Sequence, residues 1–186
     1  LGHMWELYAM WTWLGLYLGV AFARGGMADA PRLASLATGA VIAAGGVGCI
    51  VAGRMADRIG RTATTMLAML GSGACAATIG LVFDQPPLLM LVALLWGLTV
   101  VADSAQFSTA VSELAPAQYV GTALSLQTCL GFLLTLVSIR LYPTVVALGG
   151  WPWSFAFLAP GPFLGTLAMW KLRTLPESLA LAQGKR

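Results

Sequence analysis

Residues 53–61 read Gly53-Arg54-Met55-Ala56-Asp57-Arg58-Ile59-Gly60-Arg61, and their reading decides the fold. Three arginines, one aspartate and two glycines fall within this stretch, between two long apolar runs. Charged residues make up only 9% of the 186-residue chain, so a cluster this dense must lie where water reaches it. A soluble domain is about half apolar and about a quarter charged. Here 59% of residues are hydrophobic and the mean hydropathy is +0.83. A soluble surface cannot be built from so few ionisable groups. The chain reads as an integral membrane protein, and residues 54–62 as a short basic loop between two spans.

Working outward from that loop, a helix needs about 20 apolar residues to cross a hydrocarbon core of roughly 30 Å. Six runs qualify, near residues 4–23, 34–53, 63–83, 88–110, 120–142 and 152–171. Arg24-Gly25-Gly26 through Pro31-Arg32 ends the first, and the basic loop ends the second. Asp84-Gln85-Pro86-Pro87 ends the third, and Glu113-Leu114-Ala115-Pro116 the fourth. Tyr142-Pro143 through Gly149-Gly150-Trp151-Pro152 separates the last two. Barrel strands would alternate polar and apolar residues over about ten positions, and these runs do not. The expected fold is therefore all-α and polytopic, with six transmembrane helices forming a unit over residues 1–174 and a tail over 175–186.

Basic residues set the orientation. With the 54–62 loop in the cytoplasm, that side carries Arg54, Arg58, Arg61, Lys171, Arg173, Lys185 and Arg186. The other side carries Arg24, Arg32 and Arg140. Seven against three predicts both termini in the cytoplasm, in a cell (inner) membrane. The net charge of +3 lies between apolar runs and in the tail, a distribution that argues against nucleic acid. Cys49, Cys75 and Cys129 sit inside apolar runs at no metal-ligand spacing. No nucleotide-binding glycine loop or nucleophile–base pair occurs, so the sequence predicts neither enzyme activity nor a metal or cofactor.

Small residues recur every four positions as Ala44, Gly48 and Ala52, as Ala68, Ser72, Ala76 and Gly80, and as Gly121, Ser125 and Cys129. Such stripes let helix backbones approach closely in lipid. Polar groups inside spans are the candidates for function, because the bilayer solvates them poorly. Asp103 follows about eleven apolar residues, too deep for its short side chain to reach water, and shares a helical face with Gln106. Both are candidate substrate or proton-coupling residues, against the alternative of a structural hydrogen bond between helices. Glu6 is a weaker candidate, expected within a turn or two of the cytoplasmic boundary among Trp5, Tyr8, Trp11 and Trp13. His3 is expected at the interface.

The loop resembles the signature G-x-x-x-D-R-x-G-R-[RK] found between the second and third helices of a six-helix half in the major facilitator superfamily. Gly53, Asp57, Arg58, Gly60 and Arg61 match it, and Thr62 stands where a basic residue is usual. Glu113-Leu114-Ala115-Pro116 followed by Gly121-Thr122-Ala123-Leu124 looks like the loop between the fourth and fifth helices of such a half. The resemblance implies two three-helix inverted repeats, with the first and fourth spans, and so Glu6 and Asp103, lining a central cavity. It implies secondary transport of a small solute by alternating access, with protons as a candidate coupling ion and the loop acting in conformational switching. On physical grounds Asp57 is expected to face the positive N-terminal end of the fifth span, and Arg58 and Arg61 to meet carboxylates or lipid phosphates. The resemblance also implies that the chain is the C-terminal half of a twelve-helix transporter, whose N-terminal half is then its partner. Two alternatives stay open: a complete six-helix protein with an assembly role, and an autonomous half-transporter acting as a homodimer.

Overall fold

A computed structural model of the chain describes residues 1–185. The described residues hold seven α-helices joined by tight turns and short 3-10 segments, and no strand. Helix α1 covers Gly2–Arg24, α2 Ala30–Ile59, α3 Arg61–Thr78, α4 Pro86–Val100, α5 Ser104–Leu114, α6 Val120–Gly149 and α7 Pro160–Thr174. Four helical stretches are long and apolar enough to cross a membrane: Ala30–Ile59, Arg61–Val82, Pro86–Leu114 and Ala117–Gly149.

Helix α1 sits inside the bundle. Its buried residues Leu7, Met10, Leu14, Tyr17, Leu18 and Ala21 recur at three- and four-residue steps, the period that makes one continuous helical face. That face meets α2, α6 and α7. Tyr17 packs on Phe83 and Phe155, with centroids 4.9 and 4.7 Å away, and Phe155 also meets Trp96 and Tyr142. These rings fill the end of the bundle opposite the basic loop. Around the outside, Leu36, Val47, Leu91, Leu133 and Leu164 are all exposed, an apolar surface that lipid can cover and water does not.

The α2–α4 contact is close because glycine makes it so. A Cβ on Gly48 would run into the Leu98 carbonyl, and one on Gly97 into the Val41 carbonyl. Ser72 and Ala76 of the second stripe are likewise buried. The third stripe differs from expectation. Gly121, Ser125 and Cys129 are all exposed, so that face of α6 packs against no helix among the described residues.

Three boundaries also differ from the sequence reading. Most of the supposed 54–62 loop is helix: α2 runs on to Ile59, and the turn into α3 is Gly60 alone. Its φ of +92° is open to glycine and strained for other residues, which is why the signature carries glycine there. The fourth run is not one helix. It breaks at residues 101–103, where Ala102 and Ser104 donate to Thr99 and Val101 in the tighter i−3 pattern. The sixth run does not start at 152 as a helix; a 3-10 turn at Ala156–Leu158 precedes α7.

Pro143, expected to end the fifth span, lies inside α6 instead. Proline has no N–H for the carbonyl four residues back, here Ile139. The Trp13 indole N–H donates to that Ile139 oxygen at 3.2 Å, so a tertiary contact replaces the missing backbone bond. The helix then continues to Gly149.

Candidate functional site

The buried acidic and histidine side chains, Glu6, Asp103 and His3, lie along one seam that runs inward from the basic turn. Arg61, the first residue of α3, holds Glu113 near the end of α5 with two hydrogen bonds, from Nε at 2.8 Å and from Nη2 at 2.7 Å. Its third nitrogen, Nη1, donates to the Gln106 Oε1 at 3.1 Å. A planar guanidinium matched to a carboxylate in this way fixes geometry as well as charge. One side chain thus ties the start of α3 to both ends of α5.

One turn further in, Asp103 lies at the α4–α5 break and is buried together with Gln106. Its Oδ1 is 2.9 Å from the His3 Nδ1 of α1, and both side chains are at most 5% exposed. The distance is that of an ion pair, although Asp103 Oδ1 has no hydrogen bond aligned on it. Phe107 covers the imidazole, with centroids 5.5 Å apart. The His3 Nε2 is buried and has no partner among the described residues.

One turn along α1 from His3 is Glu6. It does not reach toward water at the boundary, as the sequence suggested; it is 1% exposed. Trp96 Nε1 donates to one carboxyl oxygen at 2.8 Å and Ser72 Oγ to the other at 2.9 Å. Ser72 follows Arg61 by eleven residues of α3, so Glu6 lies about 16 Å inward from the turn at 1.5 Å per residue. The seam therefore runs Glu113, Arg61, Gln106, Asp103, His3, Glu6, with Ser72 and Trp96 closing its inner end.

The structure brings Asp103, Gln106, Glu6 and Arg61 together along this seam. It leaves others outside it. Asp57 and Arg58 are exposed on the last turn of α2, and neither side chain has an ion pair or hydrogen bond among the described residues. Only the backbone carbonyl of Asp57 is engaged, by the Lys185 ammonium of the tail. Gly53 lies within α2 with open space beside it, and Gly60 is the turn. Trp5 donates to the Phe157 carbonyl at 3.3 Å, and Tyr8 packs against Trp11 and Phe132. Arg140 is exposed.

Sequence reasoning missed Glu113 as the partner of Arg61 and Ser72 as a ligand of Glu6. It also placed His3 at the interface. The signal for Glu113 was present, since the span order puts it on the same side of the membrane as the arginines of residues 54–61, where it is a natural counter-charge. Ser72 was hidden by its place in a small-residue stripe. Among the described residues no cluster of His, Cys, Asp and Glu could hold a metal ion.

An all-helical bundle with several membrane-length apolar helices, closed at one end by an arginine–carboxylate clamp, is a multi-pass membrane protein. The chain belongs to the major facilitator superfamily, whose family pattern it matches over residues 4–186. The fold is similar to that of the proton:xylose symporter XylE bound to 6-bromo-6-deoxy-D-glucose, with a TM-score of 0.79 and 16% identity over 95% of this chain and 43% of that one. It is equally similar to a partially occluded inward-open structure of the xylose transporter XylE from E. coli. There the TM-score is 0.78 and the identity 15%, over 95% of this chain and 48% of the other. The chain thus spans a little under half the length of the solved transporters it resembles. A search of curated proteins gives no match.

Proposed function

We propose that the chain is the C-terminal half of a twelve-helix secondary transporter that moves a small solute across the cell (inner) membrane by alternating access. The observation that carries this reading is the Arg61 clamp on Glu113 and Gln106. It locks α3 to α5 at the cytoplasmic end, and a bonded cluster between rigid helices has the two arrangements, closed and broken, that a switch needs. The switch loop comprises Gly53, Asp57, Arg58, Gly60 and Arg61, with Arg61 its working residue. Asp103, Gln106 and Glu6 are the substrate or proton-coupling groups, buried carboxyl and amide groups beside a broken helix of the kind transporters use at their sites.

Six spans arranged as two inverted three-helix repeats, over 1–174 with the tail at 175–186, are part of this reading, and some of the helix contacts support it, although α2–α3 has no α6–α7 counterpart. Pairing α1, α2 and α3 with α4–α5, α6 and α7 maps the α2–α4 contact onto α6–α1, maps α3–α4 onto α7–α1, and returns α3–α7 to itself. Both termini are then cytoplasmic, beside the Arg61 turn. XylE is a proton:xylose symporter by its description, which supports a small-molecule substrate and proton coupling without naming either for this chain.

Charge exchange tests the switch. In the full-length gene product, Arg61→Glu and Glu113→Arg each break the clamp, while the double exchange restores an opposite-charge pair. Solute uptake lost in both single variants and recovered in part by the double supports a switch. Uptake unchanged in all three leaves the arginines as a topology signal alone.

A further inference from the structure

Glu6 is 1% exposed, and each of its carboxyl oxygens already has a donor. The Trp96 indole N–H stands on Oε1 at 2.8 Å, and the Ser72 hydroxyl on Oε2 at 2.9 Å. The two donors are not equivalent. An indole N–H only donates, whereas a hydroxyl has one hydrogen and two lone pairs and turns to suit its neighbours. The oxygen of Ser72, a residue 2% exposed, also lies 3.2 Å from the Met69 carbonyl of the preceding turn of α3. That carbonyl is a second acceptor for the same hydrogen.

The pair therefore has two fully bonded arrangements. With Glu6 ionised, Ser72 donates to Oε2. With a proton on Oε2, the new O–H donates to the Ser72 oxygen, and the hydroxyl turns its own hydrogen to Met69. Trp96 keeps its bond to Oε1 in both. One proton is taken up, one O–H bond forms, and no heavy atom has to move. A buried polar group is costly mainly when it is left unpaired, and here neither charge state leaves one.

The titratable groups facing this carboxyl are Asp103 from the α4–α5 break, Cys75 one turn on from Ser72 in α3, and His3 one turn back along α1. Among the described residues no lysine or arginine pairs with it. A solute finds both carboxyl oxygens taken by the protein. A hard metal cation asks for about six oxygen ligands, and here an N–H points at one of the two oxygens. A proton needs neither space nor further ligands. We propose that Glu6 holds the transported proton and that Ser72 is the positioning residue that keeps it bonded in both charge states. The assignment rests on the transport reading for its role and narrows the coupling ion to a proton.

Infrared difference spectroscopy of the purified full-length gene product in lipid, titrated from acid to alkaline pH, tests it through the carbonyl stretch of a protonated carboxyl group. The expected result is a band that disappears on ionisation in the unaltered protein and is missing at every pH in Glu6→Gln. The glutamine amide copies the protonated arrangement, donating to Ser72 and accepting from Trp96, so this variant should fold, and its failure to fold would overturn the two-way bond. Ser72→Ala removes one bond from each charge state, and the bond to the charged form is about twice as strong. Glu6 of that variant should therefore hold its proton about tenfold more tightly. Ser72→Thr, which keeps the hydroxyl, should titrate as the unaltered protein does. If Ser72→Ala fails to fold, the Glu6→Gln comparison decides. No band lost in Glu6→Gln, or an unchanged titration in Ser72→Ala, overturns the proposal. In proteoliposomes, uptake of labelled small solutes that a pH gradient still drives in Glu6→Gln overturns this assignment and spares the transport reading. A Glu6 that titrates as expected with no uptake of any solute does the reverse.

Discussion

Gly48→Ala should destabilise the protein although it exchanges a helix-weakening residue for the best helix former. The propensity term alone favours alanine by about 1 kcal/mol in a helix interior. Against it stands the α2–α4 contact. A Cβ at residue 48 would lie 2.9 Å from the Leu98 carbonyl carbon, and closer still to its oxygen. Ordinary contact begins at 3.4 Å, so the helices must part by at least 3.4 − 2.9 = 0.5 Å, and by more to clear the oxygen. The atom struck is backbone in a second helix, which cannot swing aside as a side chain would. Overpacking of this kind costs about 1–3 kcal/mol. The net expectation is a loss of up to about 2 kcal/mol, up to roughly thirtyfold in the unfolding equilibrium. Gly46, two residues away with open space beside it, supplies the control: Gly46→Ala should be neutral or stabilising by up to about 1 kcal/mol. Equilibrium unfolding of the full-length protein in mixed detergent micelles, read by far-ultraviolet circular dichroism, measures both. Equal effects at 46 and 48, or a stabilised Gly48→Ala, would refute the close approach of α2 and α4.

Two further outcomes can be read in the same unfolding assay. Trp13→Phe leaves the Ile139 carbonyl without a donor and should cost about 1–3 kcal/mol, but much less in a Pro143→Ala background, where residue 143 regains its N–H. A double-mutant cycle showing no coupling between positions 13 and 143 would remove that explanation for the continuous α6. Ser72→Ala takes away one of the two donors to the buried Glu6 carboxyl and should likewise cost about 1–3 kcal/mol, with Ser72→Thr milder because it keeps the hydroxyl.

Much of the helical layout was legible because breaks in an apolar chain are written in Gly, Pro and charge. Gly25-Gly26, Gly60 and Pro86 all sit at helix ends in the structure. The burial of Asp103 was legible for the same reason, since a short carboxylate has nowhere to go in a long apolar run. What escaped reading depends on tertiary contacts. The α4–α5 break contains neither Gly nor Pro, and Val101 at the break packs near Gly45 of α2. Pro143 looked like a terminator because its replacement donor, Trp13, lies on another helix. Glu6 looked shallow because residue count from the chain start was taken for depth, whereas its depth is set by Ser72 and Trp96. The stripe of Gly121, Ser125 and Cys129 has the right spacing to pack but meets no helix of this chain. Spacing shows that a face can associate, and only the fold shows with what.

Uptake in proteoliposomes bears most directly on the central claim. The full-length gene product and its Asp103→Asn variant would be given a panel of labelled small solutes, with and without an imposed pH gradient. Alternating-access transport coupled at the buried seam predicts saturable uptake of at least one solute by the unaltered protein and its loss in Asp103→Asn. No uptake of any solute would contradict the transport reading, and unchanged uptake by Asp103→Asn at every pH would remove Asp103 from the coupling site.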